Sequence, residues 1–349
     1  MPHQPASKQK IVVILGPTAS GKSGLAVKIA REIEREKPGG YAGAEVISAD
    51  SRQVYRGLDI GTGKITHREM RGVRHHLLDV ADPRRAFSVE KYRTLANHAI
   101  ADIVSRGKLP IITGGTGFYI DMLVNGIDLP PIGADPKLRA RLEERSPAQL
   151  MALLRRLDCK RWNDINKNPS DKKNARRIIR AIEIAYVTRQ KAKGMAEGCV
   201  SPYISAGPAR DRASALTTAP CRNKYAHIFI GIQLPPDELR RRIHKRLLAR
   251  IKSGMIAEAS HLHAPRSARN PNGGLSWKRM EELGLEYRYL ARHLQGKLSR
   301  AEFIAELESA IWQYARRQMT WWRRNRNIHW VHAPLNIPRL PLRALTTGL

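Results

Sequence analysis

The stretch Ile11-Val12-Val13-Ile14-Leu15, Gly16-Pro17-Thr18-Ala19-Ser20-Gly21-Lys22-Ser23, Gly24-Leu25-Ala26-Val27-Lys28-Ile29-Ala30 decides the fold of this chain. An aliphatic run, a glycine-rich octet and a run with helical apolar spacing predict a β-strand, a phosphate-binding loop and an α-helix. In such a loop, backbone N–H groups and the helix N-terminus face an anion, and the lysine reaches the outer phosphates. The sequence therefore predicts a site for a di- or triphosphate. The motif alone does not say whether that phosphate belongs to ATP or GTP, and the alternative is a glycine-rich turn with no ligand.

The candidate phosphate-binding residues form one contiguous set: Gly16, Pro17, Thr18, Ala19, Ser20, Gly21, Lys22 and Ser23. The hydroxyl of Ser23 is the candidate ligand of a Mg²⁺ ion, because the hydroxyl after the lysine of this motif takes that role.

A second strand is predicted from Ala44 to Ser48, and it is followed by Asp50. The carboxyl ends of parallel strands share one edge of the sheet, so Asp50 is expected beside the phosphate loop, as a base or a metal ligand. A further strand leads into Thr113-Gly114-Gly115-Thr116, where a P-loop hydrolase has the aspartate that holds Mg²⁺ and orients water. The usual hydrolytic apparatus is therefore missing from the sequence.

The composition indicates a globular protein with a core of its own. The chain has 349 residues, of which 42% are hydrophobic, and its three cysteines, Cys159, Cys199 and Cys221, show no disulfide or zinc-site spacing. No apolar run approaches the length needed to span a membrane. These features lead us to expect a cytoplasmic protein without a membrane association, and nothing in the pattern asks for a partner subunit.

The charge is strongly basic, with 62 Lys and Arg against 31 Asp and Glu and a formal net charge of +31. Between Lys137 and Lys193 we count 17 basic and 6 acidic residues. Further basic clusters lie at 240–252 and 316–326. Such clustering favours a nucleic acid partner over the alternative of a generally basic surface.

The order of predicted elements gives an α/β fold, a P-loop NTPase-like parallel sheet flanked by helices, with an inserted all-helical domain. Residues 1–125 and 225–333 form the predicted core, and residues 126–194 form the insertion, which we expect to bind RNA. Residues 195–224 are predicted to be a flexible loop, and residues 334–349 a frayed tail. A third strand is predicted at 75–80, where the adjacent His75 and His76 point to opposite faces and have structural roles.

Three predicted helices follow one another in the insertion. They begin at Asp135-Pro136, at Ser146-Pro147 and at Asp171, and the last continues to Tyr186. In this third helix Arg176, Arg177 and Arg180 give a basic face opposite an isoleucine-rich side. The face either meets phosphates or is simply solvated.

Several motifs together resemble the tRNA dimethylallyltransferases, also called tRNA isopentenyltransferases. They occur in the family's order and extend from about residue 11 to residue 331: the octet 16–23, Ser48-Ala49-Asp50-Ser51-Arg52-Gln53-Val54-Tyr55-Arg56-Gly57, Asp59-Ile60-Gly61-Thr62, Gly114-Gly115-Thr116, Arg180-Ala181-Ile182-Glu183 and Arg317-Gln318-Met319-Thr320-Trp321. Each motif is short, and the ordered set is what makes the resemblance specific.

The resemblance implies transfer of a dimethylallyl group from dimethylallyl diphosphate to N6 of the adenosine 3′ of the tRNA anticodon, with pyrophosphate released. It implies that the phosphate loop holds the diphosphate, with Mg²⁺ near Ser23. By the same resemblance Asp50 is the general base, and Thr116 orients the amine or the bridging oxygen. The residues implied to contact tRNA, through the anticodon stem-loop, are Asp50, Ser51, Arg52, Gln53, Arg176, Arg177 and Arg180.

The resemblance is incomplete at two places. Around Leu283-Gly284-Leu285-Glu286-Tyr287 many members have a shorter Ile-Gly-Tyr element, so RNA contacts are not transferred there, and the segment 194–223 has no counterpart. Three other functions remain open at this point: a P-loop kinase of the nucleoside-monophosphate type, an enzyme that prenylates free adenine nucleotides, and a non-enzymatic RNA-binding protein.

Overall fold

A computed structural model describes residues 8–126, 130, 132–196 and 225–332 of the chain. The described residues divide into two compact units, one made of the segments up to Gly126 and from residue 225 onward, the other of the residues between 130 and 196. The first unit contains a parallel six-stranded sheet with the strand order β3-β2-β4-β1-β5-β6. The expected parallel α/β fold is confirmed.

The aliphatic runs predicted as strands at 11–15, at 44–48 and before Gly114 are all among the six strands of the sheet. The strands are β1 Lys10–Leu15, β2 Ala44–Ser48, β3 His75–His76, β4 Leu109–Thr113, β5 Ala226–Gln233 and β6 Ile328–His332.

The helices of the first unit are α1 Lys22–Glu36, α2 His67–Met70, α3 Val89–Ser105, α4 Gly117–Val124, α10 Pro236–Lys252, α11 Met255–His263, α12 Trp277–Leu283, α13 Leu285–Leu294 and α14 Arg300–Trp322, with a short 3₁₀ turn at Pro38–Gly40. Those of the second unit are α5 Pro136–Glu143, α6 Pro147–Leu157, α7 Cys159–Asn166, α8 Pro169–Lys172 and α9 Ala175–Ala196.

Successive side chains of β1 pack on opposite faces of the sheet. Val12 and Ile14 pack with the apolar stripe of α1, whereas Ile11, Val13 and Leu15 pack with α3 and α4 on the other face. Because both faces are covered, the central strands are hydrophobic throughout rather than alternating with polar residues. A third cluster joins α10 to α14 and the segment after β2.

The second unit has its own core, made by α5, α6 and α9. Ile178, Ile179 and Ile182 are buried there against Leu150 and Leu154. The isoleucine side of the third predicted helix is therefore confirmed. The domain boundaries stay a prediction, since residues 127–129, 131 and 197–224 lie outside the described part of the chain.

Two predicted elements have different bounds in the structure: the third strand is shorter than predicted, and the third helix of the insertion begins later and continues beyond Tyr186 to Ala196. The strand predicted at 75–80 ends at His76, because Leu77 and Asp79 have left-handed φ angles of 63° and 57°, which a strand cannot accommodate. The helix predicted from Asp171 begins at Ala175 instead, after the separate turn α8. Asn174 precedes it, and its side chain accepts a hydrogen bond from the N–H of Arg177 at 3.3 Å, as an N-cap does.

The predicted flexible loop and tail fall largely or wholly outside the described residues. In the part of the chain that is described, no helix combines the length and the apolar character needed to cross a membrane.

Candidate active site

A cavity of about 280 Å³ opens at the carboxyl edge of the sheet, where β1, β2 and β4 end. The predicted residues that line it are Thr18, Ala19, Gly21, Lys22, Ser23, Asp50 and Gln53, with Gly114 and Gly115 of the second glycine-rich turn. The structure thus brings the phosphate loop, the acid after β2 and the turn after β4 to one site. Its other walls come from α2, β3, α10 and α14.

The phosphate loop owes its shape to two glycines. At Gly16 a Cβ would lie 2.7 Å from Ser20 Oγ and 3.1 Å from Ile232 Cβ, so a side chain does not fit. Gly21 has a φ of 94° and forms the N-terminal cap of α1, a left-handed conformation that favours glycine. The loop therefore presents the N-terminus of α1 to the cavity, as an anion site requires.

Lys22 is the cation of this loop. Its ammonium donates a hydrogen bond to the carbonyl of Pro17 at 2.9 Å. Burial, aided by the nearby positive charge of Arg246, lowers the pKa of Lys22 to about 8. The negative charge of an anionic ligand would oppose both effects by stabilising the charged form of Lys22, so the group is well placed to bind a diphosphate.

Asp50 is held by hydrogen bonds to one of its two carboxylate oxygens. Oδ1 accepts hydrogen bonds from the N–H groups of Arg52 at 2.8 Å and Gln53 at 3.3 Å. Among the described residues, Oδ2 has no hydrogen-bond donor. This oxygen remains available to a ligand in the cavity that Asp50 lines.

Thr116 lies against the same segment. Its Oγ1 accepts a hydrogen bond from the N–H of Ser51 at 3.0 Å, and its own N–H donates to Ala49 O at 3.1 Å. The close approach depends on Gly114, where a Cβ would lie 2.1 Å from that carbonyl oxygen. The structure therefore joins the two turns that carry the predicted catalytic pair, Asp50 and Thr116.

Two arginines of α10 enter the site region, which the sequence did not reveal. Arg246 donates to Thr18 Oγ1 at 3.4 Å and to Gly63 O at 3.1 Å and lines the cavity. Burial and the neighbouring Arg250 lower its pKa to about 10. Arg250 pairs with Glu286 at 3.2 Å. These arginines, counted in the sequence as part of a basic cluster, are internal to the first unit.

Gln318 and Tyr314 of α14 also line the cavity, although the sequence placed neither in the site and gave Gln318 only as part of the motif 317–321. Gln318 is 5% exposed and hydrogen bonds with both glycine-rich turns. The signal was a polar residue on the apolar stripe that contains Ile311 and Ala315. Arg246 was visible in the sequence in a comparable way, because Arg246 and Arg250 are four residues apart and so lie on one face of a helix.

The predicted tRNA-contacting residues are divided between the units. Ser51, Arg52 and Gln53 follow Asp50 and are partly exposed, and Gln53 donates to Gly63 O at 3.4 Å. In the second unit, Arg176 is exposed with no recorded partner among the described residues.

The other two arginines of α9 have partners within the second unit. Arg177 pairs with Asp171. Arg180 donates to Ile132 O at 2.7 Å and pairs with the buried Glu183 at 3.2 Å. Glu183 also accepts from Arg139 at 2.7 Å. The Arg180 to Glu183 motif thus has a structural explanation.

Ser23 and Thr113 line the cavity with side chains that carry hydroxyl oxygens, the kind of ligand atom that a hard divalent cation prefers. Thr113 Oγ1 is buried without a hydrogen-bond partner in the described structure and lines the same cavity as Ser23. A second group, Glu45, His76 and Asp102, also has metal-ligand spacing. Glu45 there already accepts from Arg106 and Lys108, so this cluster is a salt-bridge network rather than a cation site.

The comparison with known proteins agrees with this geometry. The model of the family described as IPP transferase matches residues 53–325. The chain is 39% identical over 331 residues to tRNA dimethylallyltransferase 2 of Treponema denticola, covering 93% of this chain and 97% of the relative. It is also 39% identical over 326 residues to tRNA dimethylallyltransferase 1 of Hahella chejuensis, covering 92% of this chain and 91% of the relative.

Among solved structures, the tRNA isopentenylpyrophosphate transferase of Bacillus halodurans superimposes with a TM-score of 0.60 at 32% identity, covering 95% of this chain and 92% of the other. A eukaryotic dimethylallyltransferase acting on tRNA shares the fold, with a TM-score of 0.70 at 24% identity over 93% of this chain and 74% of the other. With the family model matching most of its length and relatives similar from end to end, the chain belongs to the IPP transferase family.

Proposed function

We infer that the chain is a tRNA dimethylallyltransferase, which transfers the dimethylallyl group of dimethylallyl diphosphate to N6 of the adenosine 3′ of the anticodon. In this reaction the N6 lone pair forms a bond to C1 of the allyl group as the C1–O bond breaks. Pyrophosphate leaves with the bonding electrons, and N6 loses one proton. Family membership carries this inference. The cavity supports it, because the phosphate loop and Asp50, with its free carboxylate oxygen, line the same cavity.

We propose that the phosphate loop binds the leaving group. Lys22 and Arg246 supply positive charge beside the loop, and the N-terminus of α1 adds backbone N–H donors. Negative charge grows on the pyrophosphate as the C1–O bond breaks, so preorganised cations lower the barrier of that step. The absence of a hydrolytic aspartate after β4 agrees with this use of the loop.

Asp50 is the proposed general base. Its Oδ1 is fixed by two backbone N–H groups, which leaves Oδ2 to accept the N6 proton. Thr116 is proposed to orient the amine or the bridging oxygen through its hydroxyl, whose position is set by the N–H of Ser51.

Mg²⁺ is the proposed cofactor, held by the Ser23 hydroxyl, with Thr113 Oγ1 as a further oxygen of a residue that lines the same cavity. Such an ion prefers oxygen ligands and, when bound, neutralises charge on the diphosphate.

The proposed partner is the anticodon stem-loop of tRNA. The target adenine must leave its stack for N6 to reach the allylic carbon, as in other enzymes that modify bases. Ser51, Arg52 and Gln53 next to the base, and Arg176, Arg177 and Arg180 of the second unit, are the proposed contacts. A monomeric enzyme located in the cytoplasm stays our prediction.

The decisive experiment offers labelled dimethylallyl diphosphate to the protein with three acceptors in parallel: a tRNA with adenosine 3′ of the anticodon, the same tRNA with guanosine there, and AMP. We expect label in the first RNA alone. Preferential labelling of AMP would instead indicate an enzyme of free nucleotides. Phosphate transfer from ATP without prenyl transfer would indicate a kinase, and tRNA binding without either reaction would indicate an RNA-binding protein.

A further inference from the structure

Gln318 of α14 links the two glycine-rich turns of the active site through one amide group. Its Oε1 accepts a hydrogen bond from the backbone N–H of Thr18 in the phosphate loop at 2.8 Å. Its Nε2 donates to the carbonyl of Gly115, next to Thr116, at 2.7 Å. The side chain is 5% exposed, the bond to Gly115 is buried and the bond from Thr18 is partly buried.

The amide of Gln318 lies close against the second glycine-rich turn. A Cβ at Gly115 would lie 2.5 Å from Gln318 Nε2, so the glycine lets the amide approach the turn. The pairing of β1 with β4 ends at Ile14 and Thr113, before either turn begins. Among the described residues, Gln318 is the only side chain that hydrogen bonds to both turns.

One consequence concerns the diphosphate itself. Because the N–H of Thr18 donates to Gln318, it is not a donor to the ligand, even though Thr18 lies within the phosphate-binding motif. The donors left to an anion are the cationic side chains and the later N–H groups of the loop, at the start of α1. Thr18 therefore has a mechanical role, as the point where α14 holds the loop.

We propose that Gln318 is a positioning residue, which fixes the distance between the leaving-group site and the Thr116–Asp50 pair. This rests on the proposed function, in which the diphosphate lies on one turn and the amine on the other. Each turn keeps its own internal contacts without Gln318: Lys22 with Pro17, and Thr116 with Ser51. Loss of the link should therefore leave both substrates bound and displace the reacting atoms from each other.

The main test replaces Gln318 by Met, which has similar length and neither hydrogen bond. We expect kcat to fall about 10- to 100-fold, the scale of a misplacement near 1 Å, with KM for dimethylallyl diphosphate and for tRNA within about threefold of wild type. The matched control is Gln313→Met, an exposed glutamine on the same helix, which should change nothing. A lower melting temperature with unchanged kcat would overturn the proposal, and so would a raised KM for the diphosphate with unchanged kcat.

The variant Gln318→Glu tests the two hydrogen bonds separately. A carboxylate keeps the acceptor for Thr18 N–H but turns an oxygen without a proton toward Gly115 O. Protonation restores the donor. Burial and the negative charge of Asp50 raise the pKa of such a carboxyl group, and the positive charges of Lys22 and Arg246, at the same cavity, oppose that rise. The ratio of mutant to wild-type kcat should therefore rise as the pH falls from 8 to 6. A flat ratio would contradict the proposal, including in the case where Gln318→Met does not fold.

Amide hydrogen exchange of Thr18 tests the link without any turnover. We expect protection in the wild type, unchanged by inorganic pyrophosphate, and exchange at least about tenfold faster in Gln318→Met, since an N–H without its partner opens more readily. Equal protection in both proteins would refute the link. If the wild type failed to prenylate tRNA, the proposed function would be wrong. The exchange of the Thr18 amide would still test the link through Gln318.

Discussion

At Asp50 the two carboxylate oxygens have different surroundings, and this allows the proposed base to be tested without disturbing the turn. Asp50→Asn keeps an oxygen that can accept from the N–H groups of Arg52 and Gln53, but it removes the proton-accepting oxygen. We expect kcat to fall by about 10²–10⁴, the range for a lost general base. Single-turnover kinetics should show this fall in rate, and filter binding should show an unchanged affinity for tRNA. Normal turnover with weakened tRNA affinity would reassign Asp50 to RNA binding.

Lys22 gives a prediction about the ligand of the phosphate loop. Lys22→Ala removes a charged hydrogen-bond donor, a loss of about 1.5–3 kcal/mol, so pyrophosphate should bind roughly 10- to 100-fold more weakly by calorimetry. Lys28→Ala, on an exposed position of the same helix, serves as the control and should leave affinity unchanged. Equal pyrophosphate affinity of Lys22→Ala and wild type would show that the loop binds something else.

The residues of the site differ in how far the sequence could reveal them. Lys22 and Asp50 were predictable because they belong to the segments that follow β1 and β2, and the ends of parallel strands meet at one edge of the sheet. The role of Thr116 was implied by the family resemblance. Arg246 and Gln318 lie in helices 228 and 300 residues along the chain from Thr18, with which both form hydrogen bonds, and these bonds depend on tertiary packing. Their positions on half-apolar helix faces were visible, but the turns they contact were not.

The buried carboxylate of Glu45 in β2 joins several elements of the first unit. Its partners lie in β3, directly after α3 and directly before β4. It accepts from Arg106 at 2.7 Å, from Lys108 at 3.0 Å and from His76 at 2.8 Å. These donors, Arg106 foremost, hold the pKa of Glu45 far below its usual value of 4.5. The ionised group therefore stabilises the fold above about pH 4.5, and this stabilisation is lost progressively as the pH falls below that value.

Glu45→Gln should accordingly destabilise the protein at pH 7 by about 2 kcal/mol. This lies below the 3–5 kcal/mol of a fully buried pair because Arg106 and Lys108 keep contact with solvent. Urea unfolding at pH 7 and at pH 3 measures the difference between mutant and wild type, which should shrink at the lower pH. A difference that is equal at both values would mean that packing, not charge, accounts for the loss.

The elements that the sequence predicted well are those with local signals. Asp135 and Ser146 each cap a helix through a side chain that accepts an N–H three residues on, and both starts were predicted at those residues. The end of β3 was not recognisable, because nothing in Leu77 itself indicates a positive φ. That conformation comes from the surrounding fold rather than from the intrinsic preference of the residue.

For the whole molecule, a net charge of +31 has two different structural uses. In the first unit Arg246 and Arg250 point inward, toward the cavity and Glu286. In the second unit Arg180 stabilises the fold through Glu183, whereas Arg176 is exposed. Counting basic residues along the sequence therefore overestimates the surface that a nucleic acid can meet, and the tertiary partner of each arginine decides which use it has.

This division predicts different results for two arginines of the same helix. Arg176→Ala should lower the slope of log K for tRNA against log salt concentration by about 0.7–0.9 if it removes one phosphate contact, without changing the melting temperature. Arg180→Ala should lower the melting temperature, because the buried Glu183 loses one of its cationic partners. Arg35→Ala, an exposed arginine at the end of α1, is the control and should change neither quantity. Fluorescence anisotropy from 50 to 300 mM salt with thermal unfolding separates the cases, and an unchanged slope for Arg176→Ala would make its side chain a solvated surface group.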